Sequence, residues 1–293
     1  MKQTRVLVIT IIFFLFCIVS FLLPTTISEE ITSSLVYVGG TGEGNFTRIQ
    51  DALEHATVNS IVYVFPGTYH EALTLSRPVH LIGADVNNTI IDGDNTSYVV
   101  TLAAGNSMLS GFTIVHSKHK FPFAGIYIVS DDNTITQNIL TENYYGMQLG
   151  YTASHNLIAN NTIYHNGRCG VYFNHASFNR LMDNVVIDHP INGFGLYEFS
   201  NHNILIGNRF STNRETGINI RESYGTIVAN NTFTQDHIAL HIPAPEYGTT
   251  EYGNLFADNT VSIEEERDAF VFTVVVFDVS VFLVFLVFKK LSN

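Results

Sequence analysis

Residues 156–186 read NLIANNTIYHNGRCGVYFNHASFNRLMDNVV, and the stretch ends much as it begins. Asn156 and Asn161 return 23 residues later as Asn179 and Asn184, while Ile158 returns as Leu181 and Ile163 as Val186. The pattern extends in both directions. Asn138, Asn161, Asn184, Asn208, Asn231 and Asn259 are separated by 23, 23, 24, 23 and 28 residues. Five positions before each stands Asn133, Asn156, Asn179, Asn203, Thr226 and Asn254. The residue three before each asparagine is apolar (Ile135, Ile158, Leu181, Leu205, Val228, Phe256), as is the residue two after it (Leu140, Ile163, Val186, Phe210, Phe233, Val261). Several columns in register at one period define a repeat.

The unit is too short and too rich in Ile, Val, Thr, Tyr and Phe, broken by Asn, Gly and Asp, to be a pair of helices; this is the vocabulary of short strands and turns. Such strands cannot bury a face alone, so the units must stack, and stacking one lap of chain on the next gives an all-β, single-stranded parallel β-helix with laps about 4.8 Å apart. Asparagine at a bend tolerates the left-handed conformation and bonds the backbone, and stacked amides bond one another. The asparagines therefore read as a structural ladder, not as a glycan-binding row. A preceding lap fits with Asn106, Met108, Gly111 and Thr113 in the same columns, and glycines at 125, 170, 195 and 217 open strands.

Upstream, residues 46–56 (FTRIQDALEHA) place Ile49, Ala52, Leu53 and Ala56 on one helical face. A β-helix has an open end with unpaired edges, and a helix across it hides them. Residues 46–56 are therefore expected to be the N-terminal cap, within a segment 35–105 that holds the cap and first laps. Residues 106–265 form the repeat laps.

Both ends of the chain are apolar. Residues 6–23 contain eighteen residues without a charge, after Lys2 and Arg5, so 1–28 reads as a signal peptide or signal anchor. Residues 269–288, followed by Lys289 and Lys290, are long enough to span a bilayer, despite Asp278. The basic flanks place both termini inside and the body outside. Glycosylation sequons at Asn45, Asn87, Asn95, Asn160 and Asn230 agree with that side. With Lys plus Arg 14 against Asp plus Glu 26, nucleic acid is not the expected partner. Two cysteines, Cys17 in the first apolar run and Cys169 in the body, exclude a disulfide framework and a multi-cysteine zinc site. Cys169 reads as a small buried residue.

The order IQDAL, PGTYHE, LIGA, TIIDG, LSGFTI and then repeated GIYI and NTI units resembles the NosD-like right-handed β-helix proteins of the pectin-lyase-like group, also described as carbohydrate-binding and sugar-hydrolase domains. The resemblance covers residues 35–263 and is specific for fold. It implies an extracytoplasmic location and three kinds of activity: binding at the cell surface, polysaccharide cleavage, or help in maturing a copper site.

The chemistry for each was sought among the residues. Lyases of this fold hold calcium with carboxylates in one column, but Asp183, Asp188 and Asp258 fall in different columns, and Arg221–Glu222 is a pair without an acidic row. The Gly-His-Gly and Arg-x-Lys elements of the hydrolases are absent from the sequence. Among the histidines, His116 and His189 fall in a column with Asn143, Asn166, Asn213 and Asp236. His155 and His202 share another column two laps apart. His237 and His241, with Asp236, form the densest group and are the metal candidates, copper or calcium being the ions the resemblance admits. The 28-residue interval marks an insertion at 243–253, whose Tyr247 and Tyr252 are candidates to stack on sugar rings, with Arg221 and Glu222 as further ligand-binding candidates. The favoured expectation is a non-enzymatic, membrane-anchored, extracytoplasmic β-helix without a cofactor, whose partner is a polysaccharide or a surface protein. The alternatives are a pectin-lyase-like lyase or hydrolase and a NosD-like accessory protein of copper-site maturation.

Overall fold

The computed structural model describes residues 34–266; the apolar segments expected to meet the membrane lie outside them. Among the described residues no helix is long and apolar enough to cross a membrane. Three parallel sheets run the length of the body. Sheet A has ten strands, from Leu35–Val38 to Thr250–Tyr252. Sheet B has nine, from Gly67–His70 to Leu255–Ala257, and sheet C nine, from Leu73–Leu75 to Val261–Glu265. In each sheet a strand pairs with the strand one lap away, so the chain is a parallel β-helix of the kind the repeat predicts.

One lap shows how the sequence dictates the path. Leu157–Ala159 lies in sheet A, Thr162–Tyr164 in sheet B and Val171–Asn174 in sheet C, after which Arg180–Met182 re-enters sheet A one lap on. Ile158, Ile163, Val171 and Phe173 point inward and are fully buried. Later laps fill the same space with rings: Phe194 meets Phe210 edge-on at 4.8 Å, and Phe210, Phe233 and Phe256 stack at 4.9 and 5.3 Å.

The corners carry the organising device. Before each inward amide the backbone turns through the left-handed region: Asn160 (φ 56) precedes Asn161, His165 (φ 51) precedes Asn166, and Phe178 (φ 60) precedes Asn179. The amide that follows is buried and bonds in both directions. Asn184 Oδ1 accepts from the backbone N and Nδ2 of Asn161 at 3.0 and 3.1 Å. Its Nδ2 donates to the carbonyl of Ile158 and to Asn208 Oδ1, each at 2.9 Å. The lap-to-lap backbone bond is thus completed at the bend, where no strand ladder exists to do it.

There are three such ladders, one per corner. The first runs Asn133, Asn156, Asn179, Asn203. The second runs Asn138, Asn161, Asn184, Asn208, Asn231, Asn254. The third runs from Asn143 to Asn166, His189, Asn213, Asp236 and Asn259. This corrects the sequence reading at both ends. Asn259 belongs to the third ladder; Asn254 closes the second, 23 residues after Asn231, so there is no insertion at 243–253. Phe256 pairs with Phe233, and the register brings Glu251, not Phe256, beside Val228. The early lap shifts by one residue as well: Phe112 and Leu109, not Gly111 and Met108, meet Asn138 and Ile135. Ser117, not His116, precedes Asn143. The cause is common to all three: equal spacing does not distinguish the corner residue from the inward residue beside it, nor one corner's asparagine from another's.

The entrance helix, α1, spans Ile49–His55 and buries Ile49, Ala52 and Leu53. It packs on Leu35–Val38, Ser60–Val64 and Leu73–Leu75, the first strands of sheets A and C. It is shorter than 46–56 because Phe46 is extended and bridges Val38. Its first amides, those of Ile49 and Gln50, donate to the two carboxylate oxygens of Glu71 at 2.7 and 3.1 Å, which places a negative charge at the positive end of the helix. Glu71 is the acid of PGTYHE.

Asn184→Ala leaves the buried amide of Asn161 and the carbonyl of Ile158 without their ladder partner and is expected to cost about 3–5 kcal/mol, read as a lower urea midpoint. Thr212 is a β-branched residue held at φ 57. Thr212→Asn is expected to raise the midpoint, by about 1 kcal/mol.

Candidate functional site

The outward positions of sheet C behave unlike an ordinary solvent face. Along Ala124–Ile128, Tyr145–Leu149, Val171–Asn174, Asn192–Tyr197, Thr216–Ile220 and Ile238–Ile242, one outward column reads Tyr127, Gln148, Tyr172, Gly195, Asn219, His241. A second outward row contains Ala124 and Tyr145, with Cys169 and Asn192 in the laps that follow. Tyr145, Cys169, Gln148, Asn219 and His241 are buried although they leave the core. Consecutive amides explain the facing: Gly146 and Met147 both donate to the next lap, to Cys169 and Gly170, so the strand is bulged and both residues point inward. A side chain at Gly146 would meet the Gly170 carbonyl oxygen at 2.6 Å, which is why the position is glycine.

Aromatic rings cover this face. Tyr98 stacks on Tyr127 at 4.3 Å, Tyr145 on Tyr172 at 4.9 Å, and Tyr172 packs on Tyr197 at 5.5 Å. Tyr144 meets Tyr145 edge-on at 4.8 Å. The corner after Thr113–Val115 is longer than the others, Ser117 to Asn143 spanning 26 residues rather than 23, and it carries Phe121 over the sheet. Together these walls enclose a cleft of about 570 Å³ lined by Phe121, Tyr144, Tyr145, Tyr172 and Tyr197, with Arg168, Arg221, Glu198 and Glu222 supplying charge.

Some polar atoms of the outer face of sheet C, outside the cleft lining, are incompletely satisfied within the chain. Gln148 Oε1, Asn192 Oδ1, Asn219 Oδ1 and His241 Nδ1 are buried on this face without a hydrogen-bond partner. These atoms are closed off from solvent, and their residues do not line the cleft. Burial holds the phenols neutral: Tyr98 is pushed up to about 12, and Tyr145, Tyr172 and Tyr197 are raised for the same reason. Burial also pushes the Cys169 thiol up to about 11, so it is no thiolate nucleophile. The cleft offers rings, hydroxyl donors and charged groups of both signs.

Of the candidates named from the sequence, Arg221 and Glu222 line the cleft. Tyr247 does not: it sits in the single turn Pro245–Tyr247 and packs on Tyr224 at 4.6 Å. Tyr252 ends the last strand of sheet A. The residues His237, His241 and Asp236 do not converge. Asp236 faces inward in the third ladder and accepts from Asn213 at 2.8 and 2.9 Å. His237 is exposed. His241 lies on the outer face of sheet C, with Glu264 and Glu266 at 3.9 and 4.0 Å. His155 and His202 do share a column, with Phe178 stacked between them at 5.5 and 5.1 Å. Among the described residues, the three donors that come within 4.8 Å of one another belong to His70, Asp92 and Asp94, which the sequence reading did not single out. The tyrosine face was missed because its outward column, at Tyr127, Gln148 and Tyr172, recurs at 21 and 24 residues, and because the bulge at Gly146–Met147 reverses the alternation that would have revealed it.

A parallel β-helix of three sheets is the architecture of the pectin-lyase-like class. The chain belongs to the NosD family, described as periplasmic copper-binding protein, whose model matches residues 84–273. Among solved structures it resembles the pectate lyase Pel9A (15% identity, TM-score 0.58, covering 80% of this chain and 79% of that one). It also resembles a pectin methylesterase from carrot (11%, 0.51, 80% and 83%). A third is the A-module of the mannuronan C-5 epimerase AlgE6 of Azotobacter vinelandii (16%, 0.52, 74% and 70%). These likenesses establish the right-handed fold. No curated protein sequence matches the chain.

Two unusual members of the third ladder give it a pH signature. His189 accepts from Asn166 Nδ2 at Nε2 (3.3 Å) and donates from Nδ1 to Asn213 Oδ1 (2.9 Å), and burial lowers it to about 4. Burial raises Asp236 to about 6, and its Oδ2 is buried without a partner. The signs are opposite. The His189 contribution is full above pH 6.5 and is lost as pH falls toward 4. The Asp236 contribution is full below pH 4 and is lost as pH rises toward 6. His189→Asn is expected to remove the first slope. Asp236→Asn is expected to remove the second and to raise stability at pH 7 by about 2–3 kcal/mol. Denaturation midpoints from pH 4 to 8 check both.

Proposed function

We propose that the protein is an extracytoplasmic β-helix that binds a saccharide in the tyrosine cleft of sheet C and does not cleave it. The observation that carries the reading is the coincidence, in one cleft on the outer face, of stacked tyrosines with the charged groups of Arg168, Arg221, Glu198 and Glu222. Ring faces match the apolar side of a sugar, and the guanidinium, carboxylate and phenol groups that line the cleft match its hydroxyls. Arg168 and Arg221 at the same cleft add affinity for carboxylated sugars, in keeping with a chain whose net charge of −12 otherwise repels them. In this reading α1 caps the first lap, and the apolar segments at 1–28 and 269–288 hold the body at the outer surface of the membrane.

The competing reading is a lyase or hydrolase working in the same cleft, with Glu198 and Glu222 as its acids. One experiment separates the two. The full-length protein is screened against neutral and uronate-containing oligosaccharides for binding, while the solution is assayed for new reducing ends and for unsaturated products. Saturable binding without products is expected, about tenfold or more weaker in Tyr172→Ala. Turnover that Glu198→Gln or Glu222→Gln abolishes establishes the competing reading. Binding indifferent to Tyr172→Ala removes the cleft from the account.

A further inference from the structure

The first laps of sheet B bring a separate set of side chains together. Gly67–His70, Thr89–Asp92 and Thr113–Val115 are successive strands, in which His70 pairs with Asp92 and Asp92 with Val115. At the corner that follows, the chain turns through the left-handed region at Asp94 (φ 50) and His116 (φ 59), which swings both side chains toward the strand ends. His70 Nδ1 lies 2.8 Å from Asp94 Oδ1 and 4.0 Å from Asp92 Oδ2. His116 Nδ1 lies 2.9 Å from that same Asp92 Oδ2. One imidazole nitrogen and two carboxylates thus lie within 4.8 Å of one another, and the second imidazole adjoins them at Asp92.

Their supports are in place. The amide of Asp94 donates to Asp92 Oδ1 at 2.9 Å and leaves Oδ2 turned toward the two imidazoles. On the far side of His116, Nε2 is 2.9 Å from Glu142 Oε2. A carboxylate at one ring nitrogen, with the other nitrogen presented to a cluster of donors, is the arrangement that orients histidine ligands in metal sites. The donor atoms of His70, Asp92 and Asp94 all lie within 4.8 Å of one another, a span that ligands bonded at about 2.0–2.2 Å to one ion can occupy after small side-chain adjustments.

We infer that this corner binds a divalent first-row transition-metal ion through His70, Asp92, Asp94 and His116, with Glu142 positioning His116. The class of ion follows from the donors. Nitrogen and carboxylate oxygen suit zinc and cupric ions, whereas a cuprous ion favours sulfur, and no sulfur atom is among these donors. The family's description as copper-binding is compatible with this set in the cupric state and names no residue. None of the five residues lines the tyrosine cleft, so this inference does not depend on saccharide binding.

The test is isothermal titration of chelator-stripped full-length protein with zinc, cupric and calcium ions separately. One zinc or cupric ion per chain is expected, with thermal melting raised by the ion. Asp92→Asn and His70→Gln are expected to weaken binding about 100-fold or more, and Glu142→Gln by about 10- to 100-fold. His165→Gln, whose ring faces only Asp188 at 3.0 Å among the ion pairs here, serves as the control and is expected to bind as the parent does. Paramagnetic resonance of the cupric form is expected to show two coordinated imidazoles, reduced to one in His116→Gln. The inference is overturned by failure of both transition ions to bind stoichiometrically. It is equally overturned by affinities indifferent to Asp92→Asn and His70→Gln in folded variants, or by calcium binding more tightly than either. A melting temperature that falls in Asp92→Asn but does not respond to any ion identifies the cluster as an ion-pair network instead.

Discussion

The bond on which the rest depends is the one between a corner amide and the backbone N–H one lap away. A strand ladder ends where the chain bends, and the groups at the bend would be buried and unpaired. In this protein each bend is made by a left-handed residue, and the asparagine after it supplies both the missing acceptor and a donor to the carbonyl of the preceding lap. The same device at three corners locks three sheets into one register. It also explains the composition: amides are buried in quantity at the corners because a ladder asparagine finds hydrogen-bond partners in the laps beside it.

That frame has a functional consequence. Inward positions are committed to the aliphatic and phenylalanine core and corner amides to the ladders, so chemical variety is confined to outward columns and to the corner residues themselves. Both candidate sites obey this. The tyrosine cleft is an outward surface of sheet C widened by a bulge and overhung by the one long corner of the middle laps. The His–Asp cluster is made from strand ends of sheet B and the two left-handed residues beside them. The exceptions inside the third ladder, His189 and Asp236, keep the hydrogen-bond geometry while introducing groups that titrate, and burial drives both toward neutrality.

Much of the fold was legible because a repeat multiplies a weak local signal. Asn161, Asn184 and Asn208 mark the second ladder, and Ile158 and Ile163 mark the core, in every lap where the interval stays near 23 residues. The reading failed at Asn106–Gly111, where the interval lengthens to 26 and a column one residue off looks equally regular, and at Asn254–Asn259, where the interval stays at 23 but an asparagine of the third ladder stands in for one of the second. It also failed for Gly193: the glycine column that faces inward runs through Gly146, Gly170 and Gly193, and Gly195 is on the outer face. Arg221 and Glu222 were visible as an isolated pair, but their proximity to Tyr172 and Tyr197 was not.

The sequence by itself determined the stacking of laps, the identity of the core and the amide column, because each is a local choice repeated at a fixed interval. Only the tertiary structure decided which outward side chains share a surface. Neighbours across laps are separated by 19 to 28 residues according to the length of the corner between them. A change of one residue in that length moves a side chain to another column, so the meeting of Tyr145 with Tyr172, or of His70 with Asp94 and Asp92, is a property of the wound chain.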